Sequence, residues 1–159
     1  MARTSYAIAL GSNRRSRHGS PEANLRAALA SIPGVGAVSK ILATPALGPA
    51  GRSFANAAAI VETELDPDAL LAALKAIERD FGRRPGRRWG PRVLDLDIVL
   101  WSGGAWDGPG PIVPHPAFRE RAFVLQPLAE IAPDWRDPLS GATMRQLFAR
   151  LTAPRPERR

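Results

Sequence analysis

Two acidic residues alternate with apolar residues in the run Asp95-Leu96-Asp97-Ile98-Val99-Leu100, and this run constrains the fold more than any other. A β-strand turns successive side chains to opposite faces. Asp95 and Asp97 are therefore predicted to share one face, about 6–7 Å apart along the strand. Two carboxylates so close repel each other, and burial raises the cost of their charges further. The run predicts a core strand with one cation-binding face.

The composition narrows the choice of cation. The chain has no cysteine, and His18 and His115 are its only histidines. A thiolate or imidazole-rich zinc site is therefore implausible. Mg²⁺ usually takes one or two carboxylates from a protein and completes its shell with water and substrate phosphates. The alternative is a solvated strand face on which each aspartate pairs with a nearby arginine.

Basic residues are concentrated directly before this strand. The 159-residue chain has a net charge of +7, and Lys40 and Lys75 are its only lysines among 22 basic residues. Guanidinium groups suit bidentate binding of phosphate oxygens. A glycine- and proline-rich loop next to paired carboxylates therefore predicts a polyphosphate site, although such a loop alone is more often a solvated face or a nonspecific nucleic-acid patch. The crowded arginines are Arg79, Arg83, Arg84, Arg87, Arg88 and Arg92.

Hydrophobic periodicity and breaker residues predict an α+β fold, a ferredoxin-like α/β plait with helices packed on one face of an antiparallel-rich sheet and the other face free for a site. We expect one domain over 1–159 with a frayed tail over 153–159. No signal peptide or apolar span is evident, so we expect a cytoplasmic protein. The predicted strands are Thr4–Leu10, Val35–Ala43, Phe54–Glu62 and Val93–Trp101, and the predicted helices are Pro21–Ser31, Pro67–Phe81, Phe123–Glu130 and Thr143–Leu151.

Further candidate site residues lie outside the arginine loop. His115 stands between Pro114 and Pro116 and is followed by Arg119, Arg121 and Phe123. A histidine in such a rigid loop can donate a hydrogen bond to a phosphate, although a lone histidine is more often structural. Phe54 and Phe123 would ordinarily be core residues. Asn56 shares a strand face with Phe54, and its amide can both donate to and accept from a heterocycle.

Several of these segments together resemble one family, the 6-hydroxymethyl-7,8-dihydropterin pyrophosphokinases. The resemblance runs from about Tyr6 to Leu151 at family-like spacing, and the run from Arg88 to Ile98 is its most specific part. The matching segments are Leu10-Gly11-Ser12-Asn13, Thr44-Pro45-Ala46-Leu47-Gly48, Phe54-Ala55-Asn56-Ala57-Ala58, Glu78, the loop of Arg83, Arg88-Trp89-Gly90-Pro91-Arg92-Val93-Leu94-Asp95-Leu96-Asp97-Ile98, Val113-Pro114-His115-Pro116, Arg121-Ala122-Phe123-Val124-Leu125 and Pro127-Leu128-Ala129-Glu130-Ile131-Ala132-Pro133.

The resemblance implies a reaction in which the hydroxymethyl oxygen of the pterin attacks the β-phosphorus of ATP and AMP is released. It implies that two Mg²⁺ ions bind to Asp95 and Asp97, and that Arg83 and Arg92 are catalytic contacts of the phosphates. The pterin would lie between Phe54 and Phe123, with Asp95, Asn56 and backbone groups of Thr44, Pro45 and Leu47 around it. The implied ATP contacts are Lys75, Glu78, Arg83, Trp89, Arg92, Ile98, His115 and Arg121.

The sequence also departs from the family pattern. Pro85 stands where a second loop arginine is usual, which leaves Arg84 or Arg87 as alternatives for that contact. An arginine often found shortly before the histidine is absent around Gly110, and Phe54 replaces a common tyrosine. Two alternatives to the enzyme stay open: a basic plait that binds single-stranded RNA, and a relative that binds its ligands without catalysis. We expect a monomer that acts on small molecules and binds neither nucleic acid nor membrane.

Overall fold

The computed structural model describes residues 2–44, 53–82 and 93–154. Within these ranges no helix is long and apolar enough to cross a membrane. The elements in chain order are β1 (Thr4–Ser12), α1 (Pro21–Ser31), β2 (Val35–Val38), β3 (Leu42–Thr44), β4 (Phe54–Thr63), α2 (Pro67–Asp80), β5 (Asp95–Trp101), β6 (Trp106–Asp107), β7 (Ile112–Val113), a 3-10 helix (Phe118–Glu120), α3 (Ala122–Ile131) and α4 (Met144–Thr152).

An antiparallel sheet forms the centre of the fold. Its strand order is β2-β4-β1-β5, and β3 continues beside β4. β6 and β7 form a separate antiparallel pair. The predicted α+β class, with helices on an antiparallel sheet, is confirmed.

The first two helices begin where the sequence predicts. Ser20 and Asp66 are their N-caps, and the side-chain oxygens accept hydrogen bonds from the backbone N–H groups of Ala23 at 3.2 Å and Ala69 at 2.8 Å. Such caps satisfy N–H groups that have no partner inside the helix. A proline follows each cap at the first helical position, where its missing N–H costs nothing.

The two faces of the sheet are packed differently. On one face, Tyr6, Ile8 and Leu10 pack with residues of α1 and α2 in a core of large apolar side chains. On the other face, the small side chains of Ala7 and Ala58 leave room for α3 and α4. The expectation that this second face is free is therefore wrong for most of its length, because the C-terminal helices cover it.

The predicted strand Val35–Ala43 is interrupted. At the break, the Ser39 hydroxyl accepts a hydrogen bond from the Ala58 N–H at 2.9 Å. The next residue, Lys40, donates its backbone N–H to Glu130 of α3 at 2.7 Å. These contacts replace regular pairing and divide the segment into β2 and β3. The last predicted strand is also shorter than expected, since β5 begins at Asp95.

Candidate active site

A row of three residues crosses the uncovered end of the second sheet face. Gly11 of β1 pairs with Asn56 of β4 on one side and with Asp95 of β5 on the other. Directly paired residues project to the same face of a sheet. A Cβ atom on Gly11 would lie 3.2 Å from Asn56 Oδ1. The missing side chain therefore leaves a depression between an amide and a carboxylate.

This depression is the floor of a cavity of about 370 Å³. The sequence-predicted pterin residues Thr44, Phe54, Asn56, Asp95 and Phe123 all line it, and the other lining residues are Gly11, Ser12 and Asn13. Pro45 and Leu47, the remaining members of the predicted set, lie outside the described residues.

The two aromatic residues of the cavity differ from core phenylalanines in their exposure. Phe54 is 46% exposed and Phe123 is 48% exposed, whereas Phe118 is completely buried. Phe54 belongs to β4 and Phe123 to the first turn of α3, so the rings reach one cavity from separate elements. Their open faces are available to stack on a planar ligand.

The acidic pair continues the site along β5. Asp97 pairs with Ala9 of β1 and lines a smaller adjoining cavity with Asp95, Arg121 and Phe123. Burial raises the pKa of Asp97, and the neighbouring charge of Asp95 raises it further. The predicted shared face of the two carboxylates, and their mutual repulsion, are therefore present in the fold.

His115 is held at the same edge by an irregularity in β5. The pairing of β1 passes from Ile98 to Leu100, which leaves Val99 as the extra residue of a bulge. The carbonyl of Val99 accepts the backbone N–H of His115 at 3.0 Å. The ring Nδ1 accepts the N–H of Ala117 at 3.1 Å, so a proton on the neutral ring belongs on Nε2.

Charges of both signs act on the His115 ring. Burial lowers the pKa of His115 below its ordinary value. The charge of Asp97 opposes this shift, and that of Arg121 reinforces it. The Arg121 guanidinium carbon also lies 5.8 Å from the centre of the Phe123 ring. The structure thus brings an imidazole, a guanidinium and two carboxylates together beside the aromatic cavity.

Comparison with known proteins identifies the family to which the chain belongs. Residues 7–133 match the family described as 7,8-dihydro-6-hydroxymethylpterin-pyrophosphokinase (HPPK). The chain belongs to the HPPK family. The family that the sequence resembles is thereby confirmed.

Individual relatives carry the corresponding name. The chain is similar to the 2-amino-4-hydroxy-6-hydroxymethyldihydropteridine pyrophosphokinases of Methylorubrum extorquens (43% identity, covering 77% of this chain and 78% of the relative) and Pseudomonas aeruginosa (47%, covering 71% and 70%). The protein of that name from Synechocystis is 45% identical, with 65% of this chain and 53% of the relative covered. The match thus spans about half the length of the Synechocystis relative.

A solved structure agrees with the fold. The crystal structure of wild-type HPPK-DHPS from Plasmodium falciparum with SDX-DHP has a TM-score of 0.70 and 12% sequence identity. The alignment covers 94% of this chain and 44% of that chain. At this identity the likeness concerns the fold alone.

The predicted nucleotide residues of α2 lie beside the acidic strand of this HPPK-family chain. Glu78 is completely buried and accepts the backbone N–H of Leu96 at 2.7 Å. The Lys75 ammonium donates to both carboxylate oxygens of Glu78 at 3.2 Å. The side chain of Ile98 packs into the core between the sheet and the first two helices, so any nucleotide contact of Ile98 falls to its backbone.

The predicted arginine clamp lies outside the described residues. This applies to Arg83, Trp89 and Arg92, and equally to the departure at Pro85 and its alternatives Arg84 and Arg87. Their roles stay predictions from the sequence. Gly82, the last described residue before them, has a φ of +102°, a conformation that glycine adopts without strain.

Asn24 supports the site from helix α1, and the sequence alone does not identify it. Its buried amide donates to the Ser12 hydroxyl at 3.2 Å and to the carbonyl of Val93 at 3.4 Å. It thereby connects the end of β1, which lines the cavity, to the residues that precede β5. The signal available in the sequence is a polar residue on the apolar face of α1, between Pro21 and Leu25.

Arg119 does not have the role that its position in the sequence suggests. The sequence places it with His115 and Arg121 as a cation of the site. In the structure its guanidinium binds Asp137, with Nε 2.6 Å from Oδ2. Arg119 therefore does not supply a free charge to the cavity.

Proposed function

We propose that this chain transfers the pyrophosphoryl group of ATP to the hydroxymethyl oxygen of 6-hydroxymethyl-7,8-dihydropterin and releases AMP, a step of folate biosynthesis. The observation that carries the proposal is that two cavities of different chemistry adjoin each other. An aromatic cavity with an amide and a carboxylate adjoins a second cavity with Asp97 and Arg121. Asp95 and Phe123 line both. A heterocycle in the first cavity would therefore present its alcohol to groups that bind phosphate.

The first cavity fits a pterin by shape and chemistry. Phe54 and Phe123 offer half-exposed ring faces, which stack on a planar ring. The amide of Asn56 offers a donor and an acceptor for the edge of the ring. Thr44 lines the same cavity, and the sequence alone assigns backbone contacts with the pterin to Pro45 and Leu47. Asp95 stands at the end where the hydroxymethyl group would lie.

The donor set of β5 fits magnesium. Carboxylate oxygens are ligands that Mg²⁺ prefers. Burial, and after it the charge of Asp95, raises the pKa of Asp97, and a bound cation would relieve both costs. Over residues 2–44, 53–82 and 93–154, no cluster of three or more acidic, histidine or cysteine residues is arranged to hold a metal. Substrate phosphates and water would complete the coordination. In this proposal Asp95 and Asp97 would hold two Mg²⁺ ions, and these ions would neutralise charge on the ATP phosphates.

ATP occupies the outer edge of β5 and the second cavity. Glu78 accepts a hydrogen bond from the Leu96 N–H on the outer side of β5. Backbone groups two residues apart in a strand point in the same direction, so those of Ile98 face the same outer edge. Lys75 and Glu78 lie along this edge, and His115 and Arg121 lie at the phosphate end. From the sequence alone we assign Arg83, Trp89 and Arg92 to nucleotide binding as well.

The chain's own residues act in this reaction by position and charge. The attacking alcohol must lie in line with the β-phosphorus and the leaving AMP, an arrangement that two fixed binding sites provide. His115 in its neutral form donates from Nε2 to a phosphate oxygen, and Arg121 stabilises charge that develops on the transferred group. A strong general base is not required.

The same proposal includes the finer description of the protein. The strand order β2-β4-β1-β5 and the order of helices and strands support a ferredoxin-like plait. We propose a single domain over 1–159 that acts as a monomer in the cytoplasm and binds neither nucleic acid nor membrane. Sedimentation velocity and fractionation of the producing cell test these points.

A single assay tests the activity. The protein is incubated with ATP, Mg²⁺ and 6-hydroxymethyl-7,8-dihydropterin, and the nucleotides are separated by chromatography. The expected product is AMP, formed in step with pterin pyrophosphate, and omission of pterin or chelation of Mg²⁺ should abolish it. ADP as the product would indicate transfer of one phosphoryl group, and no product at all would contradict the proposal.

A further inference from the structure

Arg119 and Asp137 form a bidentate ion pair beside the site without lining either cavity. Arg119 Nε lies 2.6 Å from Asp137 Oδ2, and a terminal guanidinium nitrogen lies 2.8 Å from Oδ1. The carboxylate of Asp137 is completely buried, and it also accepts the N–H of Leu139 at 3.0 Å and the hydroxyl of Ser140 at 2.7 Å. Four donors therefore satisfy its two oxygens, as a buried charge requires.

The two ends of the pair belong to different parts of the fold. Arg119 is in the 3-10 helix between His115 and Arg121, and this segment is held by the bonds Phe118 N–H to His115 O at 3.4 Å and Arg121 N–H to Phe118 O at 3.3 Å. Asp137 is in the turn before α4, where its own N–H donates to Ala142 O at 2.8 Å. The pair therefore fastens the His115–Arg121 segment at its middle to a distant turn.

The chemistry of the Arg119–Asp137 pair suits it to orient the segment rather than to add stability. Phe118 is buried in the core between the second sheet face and the C-terminal helices, and it already anchors the segment. A buried ion pair adds little stability over apolar packing of the same volume, but a planar guanidinium fork fixes direction. Burial by itself would raise the pKa of Asp137, but hydrogen bonds from Arg119 and Ser140 outweigh it and lower the pKa to about 2. The carboxylate is therefore charged near neutral pH.

We propose that Arg119 and Asp137 are positioning residues, whose ion pair orients the His115–Arg121 segment so that both side chains face the nucleotide phosphates. The proposal rests on the proposed function, in which His115 and Arg121 contact ATP. It predicts an effect on the nucleotide half of the site. The pterin half depends on β4 and on α3, whose residues Val124 and Leu125 are buried in the core on the second sheet face.

The test compares Arg119→Ala, Arg119→Lys and a control, Arg145→Ala, which removes an exposed ion pair to Asp134 in the same region. Calorimetry measures the affinity of α,β-methylene-ATP with Mg²⁺ and, separately, of 6-hydroxymethylpterin. Arg119→Ala is expected to weaken nucleotide binding about ten-fold or more, as loss of charge-assisted hydrogen bonds would. Pterin affinity and the control should change little, and Arg119→Lys should fall between them because it lacks the fork.

A spectroscopic readout separates orientation from stability. The chain has two histidines, so the His18→Asn variant assigns the His115 ring signals in an NMR spectrum. Arg119→Ala should shift these signals without any nucleotide present. Unchanged signals would overturn the proposal, and so would wild-type nucleotide affinity in a variant that merely melts lower. If Arg119→Ala does not fold, Arg119→Lys decides by the same two readouts.

The proposed function and this inference can fail separately. A wild-type protein that releases no AMP contradicts the proposed function. The His115 signals need neither substrate nor turnover, so an unmoved ring in Arg119→Ala contradicts the positioning role whatever the assay gives.

Discussion

Glu78 accepts a hydrogen bond of 2.7 Å from the backbone N–H of Leu96, the residue between Asp95 and Asp97. β5 is the edge strand of the sheet in the part of the chain that the structure describes, so no described strand lies on the outer side of this N–H. A buried backbone donor without a partner is costly, and a carboxylate from α2 supplies the partner. Lys75 offsets the charge of that carboxylate. Helix α2 thereby fixes the position of the strand that carries both acidic residues.

Glu78→Ala is expected to destabilise the fold more than Glu78→Gln. The alanine leaves the Leu96 N–H unsatisfied and Lys75 without its counter-ion, at a cost of about 2–3 kcal/mol, while the glutamine keeps an acceptor and loses about 1 kcal/mol. Urea unfolding at pH 7 measures both. Equal losses would mean that the hydrogen bond to Leu96 does not matter. Weaker ATP binding by a stable Glu78→Gln would support its implied nucleotide contact.

Asp97→Asn and Asp95→Asn are each expected to fold and to lose nearly all turnover. Asparagine keeps the size of the side chain but removes a charged Mg²⁺ ligand, and loss of repulsion between the carboxylates should leave the melting temperature equal or higher. AMP release at limiting Mg²⁺ is the measurement, with Asp107→Asn on the β6–β7 pair as a control. Wild-type activity in either variant at limiting Mg²⁺ would exclude the metal assignment.

Gly11→Ala is expected to weaken pterin binding while the protein stays folded. The new methyl group would lie 3.2 Å from Asn56 Oδ1 and would fill the floor of the cavity. We expect a loss of about ten-fold in affinity, comparable to one displaced hydrogen bond to the heterocycle. Gly36→Ala in β2 is a matched control, since its methyl group meets the Ile60 carbonyl at an ordinary 3.7 Å. Equal pterin affinity in both variants would show that the floor is not used.

Local signals in the sequence predict much of this fold. The capped starts of α1 and α2 and the α+β class depend largely on neighbouring residues, and they are confirmed. The strand predicted over Val93–Trp101 is present but begins two residues later, at Asp95. The break between β2 and β3 depends on Lys40 and Glu130, which are 90 positions apart in the chain. Spacing and propensity contain no information about such a contact.

The candidate site, like the fold, is only partly predictable from the sequence. Residue types predict Asp95 and Asp97, because paired carboxylates are unusual on an apolar strand. Residue type alone would place Phe54 and Phe123 in the core, and only the family resemblance assigns them to the site. The function of Gly11 depends on the register of three strands, and the partner of Arg119 depends on the turn before α4. These relationships exist only after the chain has folded.

His115 should titrate below its ordinary pKa of 6.5. Burial is the first cause, the charge of Arg121 adds to it, and the charges of Asp97 and Asp95 act in the opposite direction. Since the unfolded chain binds the proton more readily, the stability contributed by the neutral ring is present above pH 6.5 and is lost as the pH falls through the lowered pKa.

Two variants test this balance by NMR titration without metal. Arg121→Gln removes a positive neighbour and should raise the pKa of His115, whereas Asp97→Asn removes a negative one and should lower it further. Shifts in the same direction, or no shift in either variant, would mean that the ring does not experience these charges.

Phe123 and Phe118 provide the sharpest comparison, since they lie five residues apart and differ completely in exposure. Stacking on an aromatic side chain contributes about 1–3 kcal/mol for a nucleobase, and a pterin ring should behave similarly. Phe123→Ala is therefore expected to weaken pterin binding by about ten- to a hundred-fold and to leave the melting temperature almost unchanged.

Phe118→Ala is the matched control for a core ring. Removal of a buried phenylalanine typically costs about 3–5 kcal/mol of stability, so this variant should melt much lower. Calorimetry with 6-hydroxymethylpterin, corrected for the folded fraction from thermal unfolding, separates the two effects. If Phe123→Ala melts as low as Phe118→Ala and its folded molecules keep wild-type pterin affinity, then Phe123 is a packing residue and the pterin does not stack on it.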